Sequence, residues 1–470
     1  MRDDLTRRRF LAGAAGTTAL LTTASSSAFP LTARPHAAPH YSINTPGSGR
    51  LINAAEKGVV PGLSDDQSVG FQRLLDLSAE QDVPVFLPGG VYKVGGITLP
   101  LRARLVGVAG STRLTFTGRG FIARAERADL IHIDGIIFDG LGLPLAEQGQ
   151  GLLTLNTVRD LRLSNSDFIA SGLHGVDLTG VGGSVRGCYF SNIADTAIFS
   201  KQSQGLSVVD NRIEDCGNGG ILIHRFTPGD DGSVVISNRI ERVKSVNGGT
   251  GQWGNGINVY QAHNVMVANN RIASCALSSV RINAGQNVIV SANHCTGSGE
   301  TAIYGEFAFQ GMTVANNVID GGTIGVSLAN FNEGGRLASV SGNIIRNLSS
   351  KLPYDNPGAF RPGIGIYAEA DTVISANVIE NVPNTGIHVG WGGFCRNVIV
   401  GQNLVRSAPY GIAVSVDKDA RSVVVTDNVF SDIAQSAIAG FDHEKPATGE
   451  LLGGKASPFD HLTLSGNRLT

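Results

Sequence analysis

A short alternation of apolar and polar residues recurs along the second half of the chain. Each copy has two apolar, mostly β-branched residues separated by one residue. An asparagine follows three positions after the second of them, and Ile or Val two positions later, as in residues 265–272 and 312–319. A second segment of the form Gly-Ile-x-Val-x follows roughly ten residues later, for example at 256–260 and 411–415. Alternation with a period of two predicts β-strands, and no helical period separates them.

The asparagine of this repeat returns at nearly the same phase. It occupies positions Asn211, Asn238, Asn270, Asn293, Asn317, Asn343, Asn377, Asn403, Asn428 and Asn467. Ser166 and Cys188 fill the same slot in two weaker, earlier copies. A fixed period of about two dozen residues is typical of a stacked repeat architecture. We expect each asparagine to sit at a corner, because asparagine tolerates left-handed backbone angles and its amide can bond to the neighbours above and below.

These patterns predict an all-β fold, a single-domain right-handed parallel β-helix in which each turn pairs with the next. Residues 65–77 form an amphipathic pattern with acidic residues at its start, which predicts a helix. A strand-like segment at 83–87 and a turn at 88–90 follow. A helix in this place would cover the open N-terminal end of the coil.

The capping segment and the asparagine repeats resemble the N-terminal cap and the coils of pectate-lyase-like β-helix proteins. Together they span nearly the whole chain after residue 65. The resemblance implies an architecture, and it does not imply one reaction, since this kind of fold hosts many functions.

The N-terminus has the composition of an export signal. Residues 6–11 read Thr-Arg-Arg-Arg-Phe-Leu, a mild apolar run extends to residue 21, and small residues follow at 24–28. This looks like a twin-arginine signal peptide. The apolar run is too short for a permanent membrane span, and no other segment is apolar enough. We therefore expect a periplasmic or extracellular protein with no stable membrane insertion after signal cleavage.

The predicted organisation is a twin-arginine signal peptide and tail at 1–38, a linker at 39–64 and the parallel β-helix domain at 65–470. A twin-arginine signal followed by asparagine-marked coils resembles an uncharacterised family of twin-arginine-translocated repeat proteins. That family is similar to the β-helices of carbohydrate enzymes such as mannuronan epimerase. The resemblance implies fold and compartment, and it supplies no catalytic residues.

Composition narrows the function classes. The net charge of −2 argues against a nucleic-acid partner or an electrostatic membrane patch. Five cysteines cannot all pair, and we expect them to be buried as small apolar residues. The sequence contains no Cys-x-x-Cys and no dinucleotide fingerprint, so we expect no cofactor. His443, Asp460 and His461 are spaced too loosely to favour a metal site.

Candidate chemistry lies on the outward positions of the Gly-Ile-x-Val-x strands. The Ile and Val should point into the core, which leaves the two x positions facing solvent. Coil by coil, these pairs are Asp177 and Thr179, Phe199 and Lys201, Leu222 and His224, Asn258 and Tyr260, Arg281 and Asn283, Tyr304 and Glu306, Ser327 and Ala329, Tyr367 and Glu369, His388 and Gly390, and Ala413 and Ser415.

Two insertions precede this strand, at residues 245–255 and 348–362. They enter at the same corner four coils apart, so we expect them to stand as walls about 19 Å apart. A trough of that width would hold a few sugar units, with aromatic rings for sugar faces and arginine for a uronate carboxylate. The candidate substrate-binding residues are Asn258, Tyr260, Asn283, Tyr367, His388, Trp253, Tyr354 and Arg361.

Two chemistries fit the trough, whose candidate catalytic residues are Arg281, Tyr304, Glu306 and Glu369. The two glutamates lie two coils apart, roughly 10 Å by strand spacing, and could form the acid and base of an inverting glycoside hydrolase. Alternatively, Arg281 with Tyr304, or Lys201 with His224, could neutralise a uronate and move a proton, as lyases and epimerases require.

The paired aspartates and Gly-His-Gly of polygalacturonases are missing, as is the Asp-Pro-His-Asp of mannuronan epimerases. The leading hypothesis is an exported lyase, C5-epimerase or glycoside hydrolase that acts on an acidic polysaccharide or oligosaccharide. The alternative is a non-catalytic periplasmic scaffold that binds a glycan or a protein. The outward residues favour the first hypothesis only if they converge on one cleft with shifted pKa values.

Overall fold

The computed structural model describes residues 51–146, 150–249, 251–329, 331–354, 362–453 and 458–470. The predicted twin-arginine signal lies outside these residues. Within these ranges, one α-helix, α1 (Ser68–Gln81), and three short 3-10 helices (Ala54–Lys57, Phe331–Glu333 and Gly392–Phe394) accompany strands and turns. No helix in the described ranges is both long enough and apolar enough to cross a membrane.

The strands are short and follow one another closely along the chain. The first half contains β1 (Ile52–Asn53), β2 (Val85–Phe86), β3 (Gly90–Val94), β4 (Ile97–Thr98), β5 (Arg102–Val106), β6 (Thr112–Phe116), β7 (Ala123–Asp134), β8 (Ile137–Asp139), β9 (Gly151–Ser164), β10 (Asp167–Ser171), β11 (His174–Thr179), β12 (Gly183–Arg186), β13 (Tyr189–Ile193), β14 (Thr196–Lys201), β15 (Ser207–Val209), β16 (Arg212–Cys216), β17 (Gly219–Asp230), β18 (Val234–Ile236), β19 (Arg239–Val243) and β20 (Asn255–His263). The second half contains β21 (Met266–Ala268), β22 (Arg271–Ala273), β23 (Val280–Asn283), β24 (Ile289–Ser291), β25 (His294–Thr296), β26 (Thr301–Glu306), β27 (Gln310–Ala315), β28 (Val318–Asp320), β29 (Ile324–Leu328), β30 (Arg336–Ser341), β31 (Ile344–Arg346), β32 (Ile364–Ala368), β33 (Ala370–Ser375), β34 (Val378–Glu380), β35 (Thr385–Val389), β36 (Arg396–Gly401), β37 (Leu404–Ser415), β38 (Arg421–Thr426), β39 (Val429–Asp442), β40 (Lys445–Glu450), β41 (Leu462–Ser465) and β42 (Arg468–Leu469).

Except for β40, the strands pair in parallel with the equivalent strands of neighbouring coils, which produces three stacked sheets. The first sheet contains β11, β14, β17, β20, β23, β26, β29, β32 and β35, and ends on the second halves of β37 and β39. The second sheet runs from β1 and β2 to β38 and β41. The third runs from β3 and β6 through β34 and the first halves of β37 and β39, and ends on β42. The predicted all-β parallel solenoid is therefore confirmed.

The asparagines stack at the corner between the second and third sheets. Asn317 Nδ2 donates to Oδ1 of Asn343 at 2.9 Å and to the carbonyl of Val290 at 3.1 Å, and the same bonds recur from Asn211 to Asn428. The left-handed angle, however, falls on the preceding residue, such as Ala376 with φ of 56° and Gln402 with φ of 58°. Our expectation that the asparagine itself takes this angle is wrong. Its role is to satisfy buried backbone groups across coils.

The N-terminal helix caps the coil as predicted. Helix α1 buries Phe71, Leu74 and Leu75, and Asp66 accepts a hydrogen bond from the backbone of Ser68 at its start. The folded region begins earlier than the predicted boundary at residue 65. Strand β1 lies within the predicted linker and pairs with β2, because its side chains extend the second sheet by one more rung.

Inward side chains form one continuous aliphatic core with an internal stack of aromatic rings. Phe138, Phe168 and Phe190 stack with centroids 4.8 and 5.0 Å apart. All five cysteines are free and buried, as expected. Near the C-terminus, β40 folds back on β39 in an antiparallel hairpin that covers part of the last edge of the first sheet.

Candidate functional site

The outer face of the first sheet carries two columns of aligned side chains. The first column contains Asp177, Phe199, Leu222, Asn258, Arg281, Tyr304, Ser327, Tyr367 and His388. The second column contains Thr179, Lys201, His224, Tyr260, Asn283 and Glu306. The predicted register of these outward positions is thus confirmed by the strand pairing.

The expectation that these positions face solvent is wrong for most of the candidate residues. The buried members are Asp177, Asn258, Arg281, Glu306, Tyr367, Glu369 and His388. Lys201, His224, Tyr260, Asn283 and Tyr304 are half-buried. Strand direction correctly gives the side of the sheet, but other segments of the chain cover that side.

Arg281 and Glu306 form a buried ion pair at the centre of the sheet. Nε and Nη2 of Arg281 donate to the two oxygens of Glu306 at 2.6 and 2.7 Å. Asn283 donates to the same carboxylate at 3.0 Å, and Glu300 lies 3.6 Å from Nη1 of Arg281. The guanidinium also lies 4.9 Å from the ring centroid of Tyr304. Such a bidentate pair fixes both side chains to each other. We name this group the Arg281 centre.

The two inserted loops meet at the Arg281 centre. Gly251 approaches so closely that a Cβ there would stand 2.7 Å from Nη2 of Arg281. Tyr354, from the other loop, donates its hydroxyl to Glu300 at 2.7 Å. The predicted picture of two walls about 19 Å apart is therefore wrong in this region. Both loops bend toward the same buried charges, which give them polar anchors.

The electrostatics of this centre are those of a closed network. Burial acts to lower the pKa of Arg281, but the carboxylates of Glu306 and Glu300 outweigh it and raise that pKa. Burial raises the pKa of Glu300, and Arg281 only partly offsets this. Burial and the charge of Glu300 also raise the pKa of Tyr354. The tight pairing leaves Arg281 and Glu306 poorly placed to contact a substrate.

The proposed pair of glutamates is not open to solvent. Glu306 has no exposed surface, and Glu369 is buried and accepts a hydrogen bond from the hydroxyl of Tyr367 at 2.9 Å. Tyr367 packs with Tyr304 and Trp391 in a separate apolar cluster on this face. The catalytic roles of Arg281, Tyr304, Glu306 and Glu369 stay predictions.

The remaining candidates are dispersed around the face. His388 packs against the rings of Tyr367 and Phe441, with centroids 5.4 and 5.5 Å away. Trp253 is half-buried in the first inserted loop, and Arg361 lies outside the described residues.

A second polar group lies toward the N-terminal end of the same face. Lys201 Nζ lies 2.8 Å from both oxygens of Asp177 and 4.9 Å from the ring centroid of Phe199. His224 and Tyr260 follow Lys201 in the second column. The hydroxyl of Tyr260 accepts a hydrogen bond from Gln261 at 3.1 Å. We name Asp177, Lys201, His224 and Tyr260 the Lys201 centre.

His224 is held neutral in this centre. Burial first, and the ammonium of Lys201 second, lower the pKa of His224 to about 3. Its Nε2 is buried and has no hydrogen-bond partner among the described residues. The ring lies between Phe199 and Tyr260, with centroids 5.2 and 5.5 Å away. A buried polar atom without a partner is costly, and such atoms concentrate at functional sites.

Three residues at these two centres, His174, Asp195 and Glu300, were not predicted from the sequence. His174 is buried 5.1 Å from the ring of Phe199, between Asp177 and Asp195 at 4.0 and 3.9 Å. Burial lowers the pKa of His174, although both aspartates oppose the shift. These residues precede the outward x positions along the chain. A signal was available, because each lies within a few residues of the start of a first-sheet strand.

The described ranges contain no group of three or more His, Cys, Asp or Glu side chains arranged to hold a metal ion.

Comparison with known proteins identifies the fold. Among solved structures, the chain is similar to the A-module of the mannuronan C-5 epimerase AlgE6 from Azotobacter vinelandii, with 14% identity over 89% of this chain and 99% of that one and a TM-score of 0.45. It is also similar to tailspike protein 3 of bacteriophage CBA120, with 11% identity over 89% of this chain and 61% of that one and a TM-score of 0.50. A third is PfbA, a surface adhesin of Streptococcus pneumoniae, with 14% identity over 85% and 94% and a TM-score of 0.41.

At 11% identity, the likeness to the tailspike protein shows a shared fold alone. No curated protein matches the sequence. The family model described as "Right handed beta helix region" matches residues 132–251 and 229–405, which together cover more than half of the chain. The chain therefore belongs to the right-handed β-helix region family.

Proposed function

We propose that the protein is an enzyme acting on an acidic polysaccharide, as a lyase or C5-epimerase, and that the Lys201 centre carries the reaction. The observation that supports this most directly is His224, a half-buried neutral imidazole with an unpartnered Nε2 beside an ammonium group. A cation next to a neutral base is the pair needed to remove a proton alpha to a carboxylate.

Each residue of the centre has a distinct role in this proposal. Nζ of Lys201 lies 2.8 Å from both oxygens of Asp177, and an ammonium with three N–H groups keeps a donor for the carboxylate of a uronate. Nε2 of His224 accepts the proton from C5. The negative charge of the bound uronate opposes the effect of Lys201 and raises the pKa of His224, which strengthens the base.

Tyr260, the neighbour of His224 in the second column, supplies the acid of the reaction. In a lyase, its hydroxyl donates a proton to the glycosidic oxygen as the C4–O4 bond breaks, and the products are an unsaturated uronate and a new reducing end. In an epimerase, a proton returns to C5 from the opposite face instead. Glycoside hydrolysis at Glu306 and Glu369 has less support, because Glu306 is paired with Arg281 and Glu369 accepts a hydrogen bond from Tyr367.

One observation favours a structural scaffold without turnover. The rings of His174, Phe199, His224 and Tyr260 follow one another at 5.1 to 5.5 Å in edge or tilted contacts. A continuous ring ladder of this kind can also serve only to stiffen the sheet face.

Turnover distinguishes the two functions. Purified protein is incubated with alginate, with pectate and with a neutral glucan, and the products are assayed for unsaturated uronates, reducing ends and C5 inversion by NMR. We expect product from a polyuronate only. His224→Phe and Tyr260→Phe should abolish it, because the base and the acid are lost while the rings remain.

His132→Phe is the matched control. His132 is also half-buried with a pKa lowered chiefly by burial, but it lies on β7 where that strand pairs with β5, in the second sheet. Its replacement should leave turnover unchanged. Binding of a polyuronate without any product, in a well-folded protein, would assign the chain to the scaffold class.

We also propose export to the periplasm or cell exterior through the twin-arginine route, on the basis of residues 6–11. Replacing Arg7 and Arg8 together by lysine is expected to retain the full-length protein in the cytoplasm. Continued export of the double variant would argue against this route.

A further inference from the structure

We propose that the outer face of the third sheet is a self-complementary contact surface, through which two copies of this chain associate as an antiparallel dimer. Its strongest feature is an aliphatic column on consecutive coils, Val318, Ile344, Val378, Leu404 and Val429. Ile344, Val378 and Val429 are 46%, 39% and 37% exposed. We call this set the aliphatic column.

The same position is polar in the earlier coils. In the successive coils toward the N-terminus, the residues aligned with Val318 are His294, Arg271, Arg239 and Arg212. These four side chains are exposed. The change from charged to aliphatic residues therefore occurs within one column of one sheet. An exposed apolar surface confined to part of a uniform face is characteristic of a contact site.

A column of alternating charge runs beside the aliphatic column. Its members are Asp320, Arg346, Glu380 and Arg406, on the same four coils as Val318 to Leu404. Within the chain, Arg346 lies 2.8 Å from Asp320 and Arg406 lies 3.2 Å from Glu380. The signs along the solenoid are negative, positive, negative and positive.

This order of charges determines the symmetry of the dimer. Consider a two-fold axis that runs parallel to the strands and passes between the coils of Ile344 and Val378. It reverses the order of the coils in the partner, and each column of one copy then faces the same column of the other copy. Ile344 then faces the partner copy of Val378, and Arg346 faces the partner copy of Glu380. Every charge meets the opposite sign, as an isologous interface requires.

The alternative, a two-fold axis along the solenoid, is unfavourable. Wherever the charged columns meet in that arrangement, each coil opposes the same coil of the partner, so like charges face each other. The antiparallel arrangement also leaves both polysaccharide-binding faces open, since these lie on the first sheet.

The size of the surface indicates a weak, reversible dimer. Six coils, from His294 to Val429, span about 24 Å at about 4.8 Å per coil, and strands of three residues make the face only about 10 Å wide. The contact is thus a few hundred Å² per partner, below the roughly 800 Å² of a standard interface. Dissociation is expected in the micromolar range.

Sedimentation of the purified protein over a range from about 1 to about 200 µM tests the proposal. We expect a concentration-dependent shift from monomer to dimer. Arg346→Glu sets like charges against each other at two symmetry-related contacts, and should raise the dissociation constant at least about tenfold. Combining it with Glu380→Arg restores opposite charges across the dimer but not along the chain, and should bring the constant back to near that of the unchanged protein.

Ile344→Arg should also weaken the dimer, whereas Ile399→Arg should not. Ile399 is the matched control, because it is 45% exposed on the second sheet. A monomer at every concentration overturns the proposal. Failure of the charge swap to restore association, or equal weakening by Ile399→Arg, overturns it as well.

Discussion

The Arg281 centre and the Lys201 centre occupy the same face of one sheet, and the second column passes through both. Both combine a cation, a carboxylate and aromatic rings. In the Arg281 centre the carboxylate of Glu306 accepts hydrogen bonds from Nε and Nη2 of Arg281 and from Asn283, and loops from two insertions contact the charged groups. In the Lys201 centre, Lys201 and His224 are half-buried, and the buried Nε2 of His224 has no hydrogen-bond partner in the described part of the chain.

This difference separates a polar group that organises the fold from one that is available for chemistry. A satisfied ion pair specifies how the loops dock, and replacing one partner exposes the full desolvation cost of the other. A buried polar atom without a hydrogen-bond partner is a cost to stability that the fold retains. Residue type alone suggests catalysis at both centres, and only hydrogen-bond satisfaction distinguishes them.

The largest expected effect is the loss of stability in Glu306→Ala. It leaves the guanidinium of Arg281 buried without its bidentate partner, and such a loss typically costs about 3–5 kcal/mol. We expect the lower end, about 3 kcal/mol, because Glu300 remains 3.6 Å away. The free energy of unfolding in urea measures the change.

Asp160→Ala is its matched control. Asp160 pairs with Arg162 at 2.7 Å, but their side chains are 37% and 62% exposed. Its removal should cost less than about 1 kcal/mol. Similar losses for the two variants would mean that the Arg281 centre does not have the structural role assigned to it.

A smaller loss is expected for Tyr354→Phe. This change removes only the hydroxyl that bonds to Glu300, a contact worth about 1–2 kcal/mol because the acceptor is a buried carboxyl group. Hydrogen exchange of the backbone around residues 349–354 should become faster, since the loop loses its polar anchor.

Tyr410→Phe provides the comparison for that variant. Tyr410 is half-buried and packs edge-on against Phe441, with centroids 5.1 Å apart, away from both inserted loops. It should change stability by less than about 0.5 kcal/mol. Unaltered exchange in the loop of Tyr354→Phe would show that packing, and not the hydrogen bond to Glu300, holds the second loop.

The sequence predicts the fold far better than it predicts the site, for a physical reason. The asparagine ladder and the strand alternation are local and periodic, so Asn317 or Asn343 reveals its place in every coil. The same periodicity correctly aligns Lys201 with His224 and Tyr260. Burial of Arg281 depends instead on the path of irregular loops, which no period encodes.

Two errors follow from that limit. The loop at 245–255 was expected to stand as a wall, yet Gly251 lies against Arg281, because a buried guanidinium attracts backbone and carboxyl groups from outside its own strand. Glu300 was overlooked because it precedes its strand, outside the Gly-Ile-x-Val-x pattern. Assigning such residues requires the three-dimensional course of the chain.

Among the variants of the two centres, His224→Phe is the one expected to lose no stability. The aromatic ring remains between Phe199 and Tyr260, and the buried nitrogen without a partner disappears. Stability at neutral pH should be unchanged or higher by up to about 1 kcal/mol, although turnover is lost.

The pH dependence of stability sharpens this prediction. The pKa of His224 falls from an ordinary value of 6.5 to about 3 on folding, so the unfolded chain binds more protons between these values. The free energy of unfolding therefore rises with pH across that window, and His224→Phe should flatten the rise. His132→Phe should flatten it too, since burial also lowers that pKa, but it should leave turnover intact. If His224→Phe instead destabilises the protein as much as Glu306→Ala, then His224 is a structural group and the two centres do not differ in kind.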